Sequence, residues 1–272
     1  MKNLRFVIIG FFIFLVLFIL FLYTRKTQVS LVKKVEPHTT QVSLLLNQAK
    51  DLELKGDFLA EKIIYQKLIN DFPNYPEISL WQKKLEELNI KLIFSPILTN
   101  QSTLYEVKPG DNLVKIARDF KTTVDLIKKS NNLISDKIFP GQKLKIWTAP
   151  FSILVDKSQN ILILKSNEEI IKTYIVSTGK DNSTPTGTFK IINKLINPTW
   201  FQAGAVIPPD SPQNILGSRW LGFNLKGYGI HGTNDPQSLG KQVTQGCIRL
   251  SNSDVEELYI LIPEGTEVTI VD

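Results

Sequence analysis

Cys247 is the only cysteine of the 272-residue chain, and His231 is one of two histidines. They lie 16 residues apart, each beside glycine, in His231-Gly232-Thr233 and Gly246-Cys247. These residue types at this spacing suggest nucleophilic chemistry. A thiol with a pKa near 8.5 is mostly protonated at neutral pH, so a nucleophilic cysteine needs a neighbouring base or cation. An imidazole supplies one, and flanking glycines let backbone and substrate approach closely. A lone cysteine can equally be a small buried hydrophobe. Gly246 and the polar Thr244-Gln245 pair weigh against that, but spacing alone leaves both readings open. One cysteine excludes a disulfide framework, and one Cys with two His cannot build an all-Cys/His structural zinc site. No cofactor and no metal are implied.

The elements that must position the pair are mostly strands. Ser152 to Asp156 and Ile161 to Leu164 are short apolar runs around a polar turn, Lys157 to Asn160, as in a β-hairpin. Further strand-like runs are Ile170 to Ser177, Thr188 to Asn193 and Glu267 to Val271. One helix is expected from Asp254 to Leu261, with Ser253 and Glu256 as its capping box. That makes Asp254 a first-turn residue rather than a catalytic acid. Residues 151–272 therefore read as one mainly-β domain.

The strings IHGTND and TQGCIRLSNSD, with VSTGK and TPTGTF upstream, resemble the catalytic domain of the L,D-transpeptidases of bacterial cell-wall synthesis. The resemblance implies a β-sandwich-like fold, Cys247 as nucleophile and His231 as general base, with the Gly232 carbonyl orienting the imidazole. It puts Gly246 and the Cys247 amide at the oxyanion hole, with Thr233 and Thr244 in support. Arg249 would organise the site or hold a substrate carboxylate. Where the family often has Ser-His before Gly-Cys, this chain has Thr244-Gln245. Gln245 cannot take a proton as histidine can, which leaves it a hydrogen-bonding role toward substrate. The implied reaction is attack on a peptidoglycan stem tetrapeptide, release of D-Ala, and transfer of the acyl group from the thioester to an amine.

Residues 103–147 form a separate compact unit. Leu104 to Val107 reads as a strand, and Pro109-Gly110-Asp111 as a turn into a helix carrying Leu113, Ile116, Ala117 and Phe120. Thr123 caps a second helix that ends at Asn131-Asn132, and Pro140-Gly141 turns into the strand Lys143 to Trp147. The strings YEVKPGDNLVKIARDF, SNNL and PGQKLKI resemble a LysM domain, a small α/β (βααβ) module that binds N-acetylglucosamine-containing glycans. Asn112 departs from the Thr or Ser usual there, but asparagine also caps helices.

Residues 43–95 have helical spacing, with Gly56-Asp57 as a stop and N-cap and Pro73 and Pro76 ending a second helix before Trp81, Leu85 and Leu88. Ala49, Gly56, Phe58, Tyr65 and Pro73 resemble one tetratricopeptide repeat, although Glu61 stands where the repeat has Ala. Without a second copy this reads as an α-helical spacer hairpin. Residues 25–42, including His38, read as a linker.

From Phe6 to Thr24 there are 19 residues without a charge, behind Lys2 and Arg5 and without a small-x-small cleavage site. At about 1.5 Å per residue this helix spans roughly 28 Å, enough for a transmembrane signal anchor over residues 1–24. The expected localisation is the bacterial inner membrane, single-pass, with the catalytic part in the periplasm or wall space. Arg25, Lys26, Lys33 and Lys34 oppose that orientation by the positive-inside rule, but long domains translocate largely regardless of charge.

The formal charge is +6, divided as +2 over residues 1–23, +2 over 24–102, +4 over 103–147 and −2 over 148–272. The excess sits at the membrane end and on the proposed glycan module, no nucleic-acid motif appears, and nucleic acid is excluded as a partner. The expected partners are peptidoglycan stem peptides and glycan strands, with the membrane at the N-terminus. An L,D-carboxypeptidase, or a catalytically impaired wall-binding scaffold with Gln245 as its mark, are the alternatives.

Overall fold

The structure, a computed structural model, describes residues 37–202 and 204–272. Residues 1–24, the expected anchor, lie outside them. Among the described residues no helix is long and apolar enough to cross a membrane. The longest, α1 (Pro37–Lys55), carries Lys50, Asp51, Glu53 and Lys55. The single-pass membrane localisation expected from the sequence is thereby corrected and is not retained.

The chain divides at Tyr75/Pro76 into two compact units. In the first, α1 and α2 (Phe58–Asp71) pack on one another across the Gly56-Asp57 turn. Asp57 caps α2 by accepting the Ala60 N–H at 3.1 Å. Helix α1 starts six residues before the helical segment expected from residue 43 and includes His38. Val42 is buried there, extending the stripe of Leu45 and Ala49. The third helix, α3 (Ile78–Ile93), expected in the same hairpin, belongs to the second unit.

Within that unit, β1 (Ser102–Glu106) pairs antiparallel with β2 (Lys143–Trp147), and α4 (Leu113–Asp119) and α5 (Val124–Ser130) lie between them in sequence. Asn112 accepts the Lys115 N–H at 2.8 Å and Thr123 the Leu126 N–H at 2.9 Å, so both helices start on side-chain caps.

Most of the rest is an eight-stranded sheet built from β3 (Phe151–Asp156), β4 (Ile161–Ser166), β5 (Glu169–Ile175), β7 (Gly187–Ile196), β10 (Arg219–Phe223), β11 (Gly229–His231), β13 (Ile248–Arg249) and β14 (Glu267–Val271), beside two short pairs, β6 (Thr178–Gly179) with β12 (Gln242–Thr244) and β8 (Trp200–Gln202) with β9 (Ala205–Ile207). Their order is β13-β11-β10-β7-β14-β3-β4-β5. Burial alternates along β3 and β4, with Ile153, Val155, Leu162 and Leu164 facing the core, as period-2 patterning demands. Helix α6 (Asn252–Leu261) covers β10 and β11 with Val255, Leu258 and Leu261. Its cap is Ser251, not Ser253: Ser251 Oγ accepts the Asp254 N–H at 3.0 Å and donates to the Asp254 carboxylate at 2.6 Å. The chain enters this helix directly from β13, which places the cap two residues earlier than the sequence pattern suggests.

Both free edges of the sheet are managed. Along β5, Asn89 of α3 donates to the carbonyls of Ile170 and Ile171 at 3.2 Å each, and Glu86 accepts the Thr173 N–H at 3.0 Å. Just past β5, Ser177 bridges antiparallel to Arg249 of β13, so the two ends of the sheet meet beside one another. The β1/β2 module is fastened to this body. Trp147 stacks on Phe151 with centroids 5.8 Å apart and donates to Ser166 Oγ at 3.3 Å, while Thr123 Oγ1 donates to the Ile260 carbonyl. Lys145, 1 % exposed, donates from Nζ to the Leu92 and Ser95 carbonyls at 2.6 and 2.8 Å, closing the C-terminus of α3. Burial lowers its pKa to about 8.

All four tryptophans lie in the second unit, so tryptophan fluorescence reports its unfolding alone. Lys145→Met leaves buried carbonyls without donors and is expected to cost about 2–3 kcal/mol in that urea transition.

Candidate active site

Strands β11 and β13 run parallel and side by side, with Ile230 opposite Ile248 and His231 opposite Arg249. This pairing brings together residues that the sequence separates. His231 ends β11, and Cys247 stands immediately before β13, both on the wall of one cleft of about 560 Å³. Thr244, Gln245 and Arg249 also line it, with Trp200, Phe201, Trp220 and Tyr228.

His231 is 2 % exposed, and its Nδ1 lies 2.7 Å from the Gly232 carbonyl oxygen. A carbonyl only accepts, so Nδ1 carries the proton and Nε2 keeps its lone pair. Burial above all holds the imidazole pKa down to about 4; Arg249 adds to this, and the Gly232 bond opposes it. Trp220, opposite His231 on β10, stacks on the ring with centroids 6.0 Å apart and planes 18° from parallel. Its indole N–H is itself held by Asn193 at 3.2 Å.

The Cys247 thiol points at the Gly227 carbonyl, 3.4 Å away. Burial raises its pKa, against weaker lowering by the Gly229 backbone and Arg249. Thiol and imidazole are therefore both neutral at neutral pH. The loop before the thiol is tied by Thr244, whose Oγ1 accepts the Gly246 N–H at 3.1 Å and donates to the Cys247 carbonyl at 2.6 Å. The Gly246 N–H, expected at an oxyanion hole, is thus committed to Thr244 in this conformation. Gly246 has φ +126°, and a Cβ there would lie 2.7 Å from a Tyr228 ring carbon, so only glycine fits.

Arg249 donates from Nη1 to Ser238 Oγ at 3.0 Å, and its Nε is buried without a hydrogen-bond partner. Burial lowers its pKa, with Asp235 opposing. Its partner is thus a hydroxyl rather than the carboxylate of a structural ion pair. Gln245 is exposed on the rim. Thr233 does not line the cleft. It is buried in a turn, accepting the Asp235 N–H at 2.9 Å, where it shapes the chain after His231. Trp220, Tyr228 and Ser238 are participants that the sequence motifs did not mark. No signal in the sequence marked them: Trp220 lies on β10, whose stretch shows no apolar alternation, and Tyr228 and Ser238 lie outside the strands. Among the described residues no group of three or more His, Cys, Asp or Glu is gathered to hold a metal ion.

Comparison with known proteins follows the same division of the chain. A family model described as the L,D-transpeptidase catalytic domain (YkuD) matches residues 150–270, and a LysM domain model matches residues 105–147. Over 173 residues the chain is 39 % identical to a Bacillus subtilis protein named as the L,D-transpeptidase YkuD, covering 61 % of this chain and 97 % of that one. It is 43 % identical over 126 residues to another Bacillus subtilis protein, named as the L,D-transpeptidase YqjB, covering 44 % and 70 % respectively. Among solved structures, an L,D-transpeptidase from Mycobacterium smegmatis aligns at 22 % identity and TM-score 0.38, covering 48 % of this chain and 64 % of that one.

Two outcomes follow from the geometry. The His231 pKa of about 4 lies below its ordinary value of about 6.5, so between those pH values the unfolded chain binds the extra proton. Stability is therefore lost as pH falls from about 6.5 to 4, by about 3 kcal/mol from this group, and His231→Gln should flatten the urea midpoint over that interval relative to the wild type. Gly246→Ala should cost about 1–3 kcal/mol in the same assay, from the positive φ and the displaced Tyr228 ring.

Proposed function

Since the chain belongs to the L,D-transpeptidase family and carries a LysM domain, we propose that it is a peptidoglycan L,D-transpeptidase working through a Cys247 thioester. The observation that carries this reading is the Nδ1–H bond of His231 to Gly232, which leaves Nε2 basic on the wall of the cleft that holds the thiol.

His231 Nε2 takes the Sγ proton as the sulfur attacks the carbonyl carbon of the third residue of a stem tetrapeptide. Because thiol and imidazole both rest neutral, proton transfer accompanies attack rather than preceding it. The Cys247 N–H stabilises the oxyanion, an effect worth about 3–4 kcal/mol per donor in comparable sites. Gly246, whose N–H is held by Thr244, contributes the conformation of the turn. Collapse breaks the peptide bond, and the leaving amine of the terminal D-Ala receives the proton from His231. An acceptor amine then attacks the thioester carbonyl and yields its proton to Nε2. Sulfur leaves, regaining a proton, and a new amide remains. Arg249, with an unpartnered Nε and a place on the cleft wall, binds a stem carboxylate. Gln245, exposed on the rim, hydrogen-bonds to substrate. The LysM module holds the glycan strand, so the stem peptide is presented by a polymer already bound.

The full chain incubated with a carbapenem, or with tetrapeptide muropeptides, should give a mass adduct on Cys247 and a crosslinked dimer. Cys247→Ser should give neither, and His231→Gln should lower acylation about 10²–10⁴-fold. With His231 protonating near pH 4, the acylation rate should fall only below about pH 5 and stay level through neutrality. Released D-Ala without dimer would make the protein a carboxypeptidase. No adduct and no release would make it a wall-binding scaffold.

A further inference from the structure

Asn252, the first residue of α6, does not line the cleft, yet its side chain reaches the bond that orients His231. Its Oδ1 accepts the Thr233 N–H and the Ser218 N–H, each at 3.1 Å. The Thr233 N–H and the Gly232 carbonyl belong to one planar peptide group. At one end of that plane sits Asn252, and at the other hangs the imidazole, 2.7 Å from the carbonyl oxygen. A peptide whose N–H is engaged is also a better acceptor at its carbonyl, because the two hydrogen bonds polarise one another.

We propose that Asn252 is a positioning residue for His231, acting through the Gly232–Thr233 peptide to fix the ring's tautomer and direction. The proposal rests on the roles given above to Cys247 and His231. The space for the amide is built in. A Cβ at Gly232 or at Gly217 would lie 2.2 Å from the Asn252 Oδ1, so glycine at both positions clears the seat that this oxygen occupies. Two residues separate Asn252 from the end of β13, and one separates Thr233 from the end of β11. The same side chain therefore ties the strand after the nucleophile to the strand that ends in the base. On its far side the ring rests against Trp220, which limits tilt but leaves rotation in its own plane to the Gly232 bond.

Nitrogen NMR of the imidazoles in the full chain tests this. There are two histidines, and loss of one signal in His231→Gln assigns the other to His38. The wild type should show His231 as a single tautomer, protonated at Nδ1. Asn252→Ala should populate the Nε2-protonated tautomer and slow iodoacetamide alkylation of Cys247 at pH 7 about tenfold, with tryptophan fluorescence unchanged. Asn252→Asp keeps an oxygen for both N–H groups, so it should fold, restore the Nδ1 tautomer and, by its charge, raise the pH at which His231 protonates. A merely structural tie would lower stability in Asn252→Ala and leave its tautomer and alkylation rate alone, whereas a charge at position 252 shifts His231 protonation in either case. If Asn252→Ala folds with the wild-type tautomer and alkylation rate, or if Asn252→Asp fails to keep the Nδ1 tautomer, the proposal fails. None of these readouts uses peptidoglycan, so a chain that crosslinks nothing would overturn the proposed function without touching this result.

Discussion

The site depends on two pairs of residues in a parallel ladder, Ile230 with Ile248 and His231 with Arg249. A parallel pair needs a crossover between its strands, and here the crossover is residues 232–247, which carry the turn at Thr233, the short strand β12 (Gln242–Thr244) and the thiol. The isoleucines are fully buried and held under α6. If the register slipped by one residue, His231 would turn to the other face and lose both the Gly232 bond and the Trp220 stack. The hydrophobic core under the ladder thus sets the chemistry above it.

That core is larger than the catalytic segment. The family match begins at residue 150, but the compact unit begins at Pro76. Helix α3 supplies Ile93 to the core and covers the edge of β5, and α5 supplies Leu126. Only Thr148 to Pro150 separate β2 from β3. The LysM module and the catalytic sheet therefore share buried side chains instead of being joined by a flexible tether, and the lysine that closes α3 comes from a LysM strand. The module and the cleft therefore belong to one packed unit.

Burial also sets the resting charge state. It lowers the imidazole pKa and raises that of the thiol, both toward neutrality, so the pair does not rest as thiolate and imidazolium. A neutral pair costs less to keep in an enclosed site, and it leaves the imidazole Nε2 with a free lone pair. Arg249 lowers the pKa of each partner and is itself held by a neutral hydroxyl.

By itself the sequence determined the residue types that can do chemistry, the helix caps at Asn112 and Thr123, and the strands with regular alternation, β3, β4 and β14. Those features are local: a cap needs its own next three residues, and a strand face needs only every second side chain. The sequence did not reveal β8 (Trp200–Gln202), β9 (Ala205–Ile207), β10, β11, β12 or β13, most of them only two or three residues long and too short for a period to show. Nor did it reveal the cap at Ser251, or that α3 leaves the helices before it to cover a sheet edge. Tertiary structure alone decided that His231 meets Cys247's strand, that Trp220 lies against the ring, that the Gly246 N–H belongs to Thr244, and that Asn252 reaches the peptide after His231. Each of these joins residues far apart in the chain through packing or a single hydrogen bond, and such contacts leave no periodic trace in the order of residues.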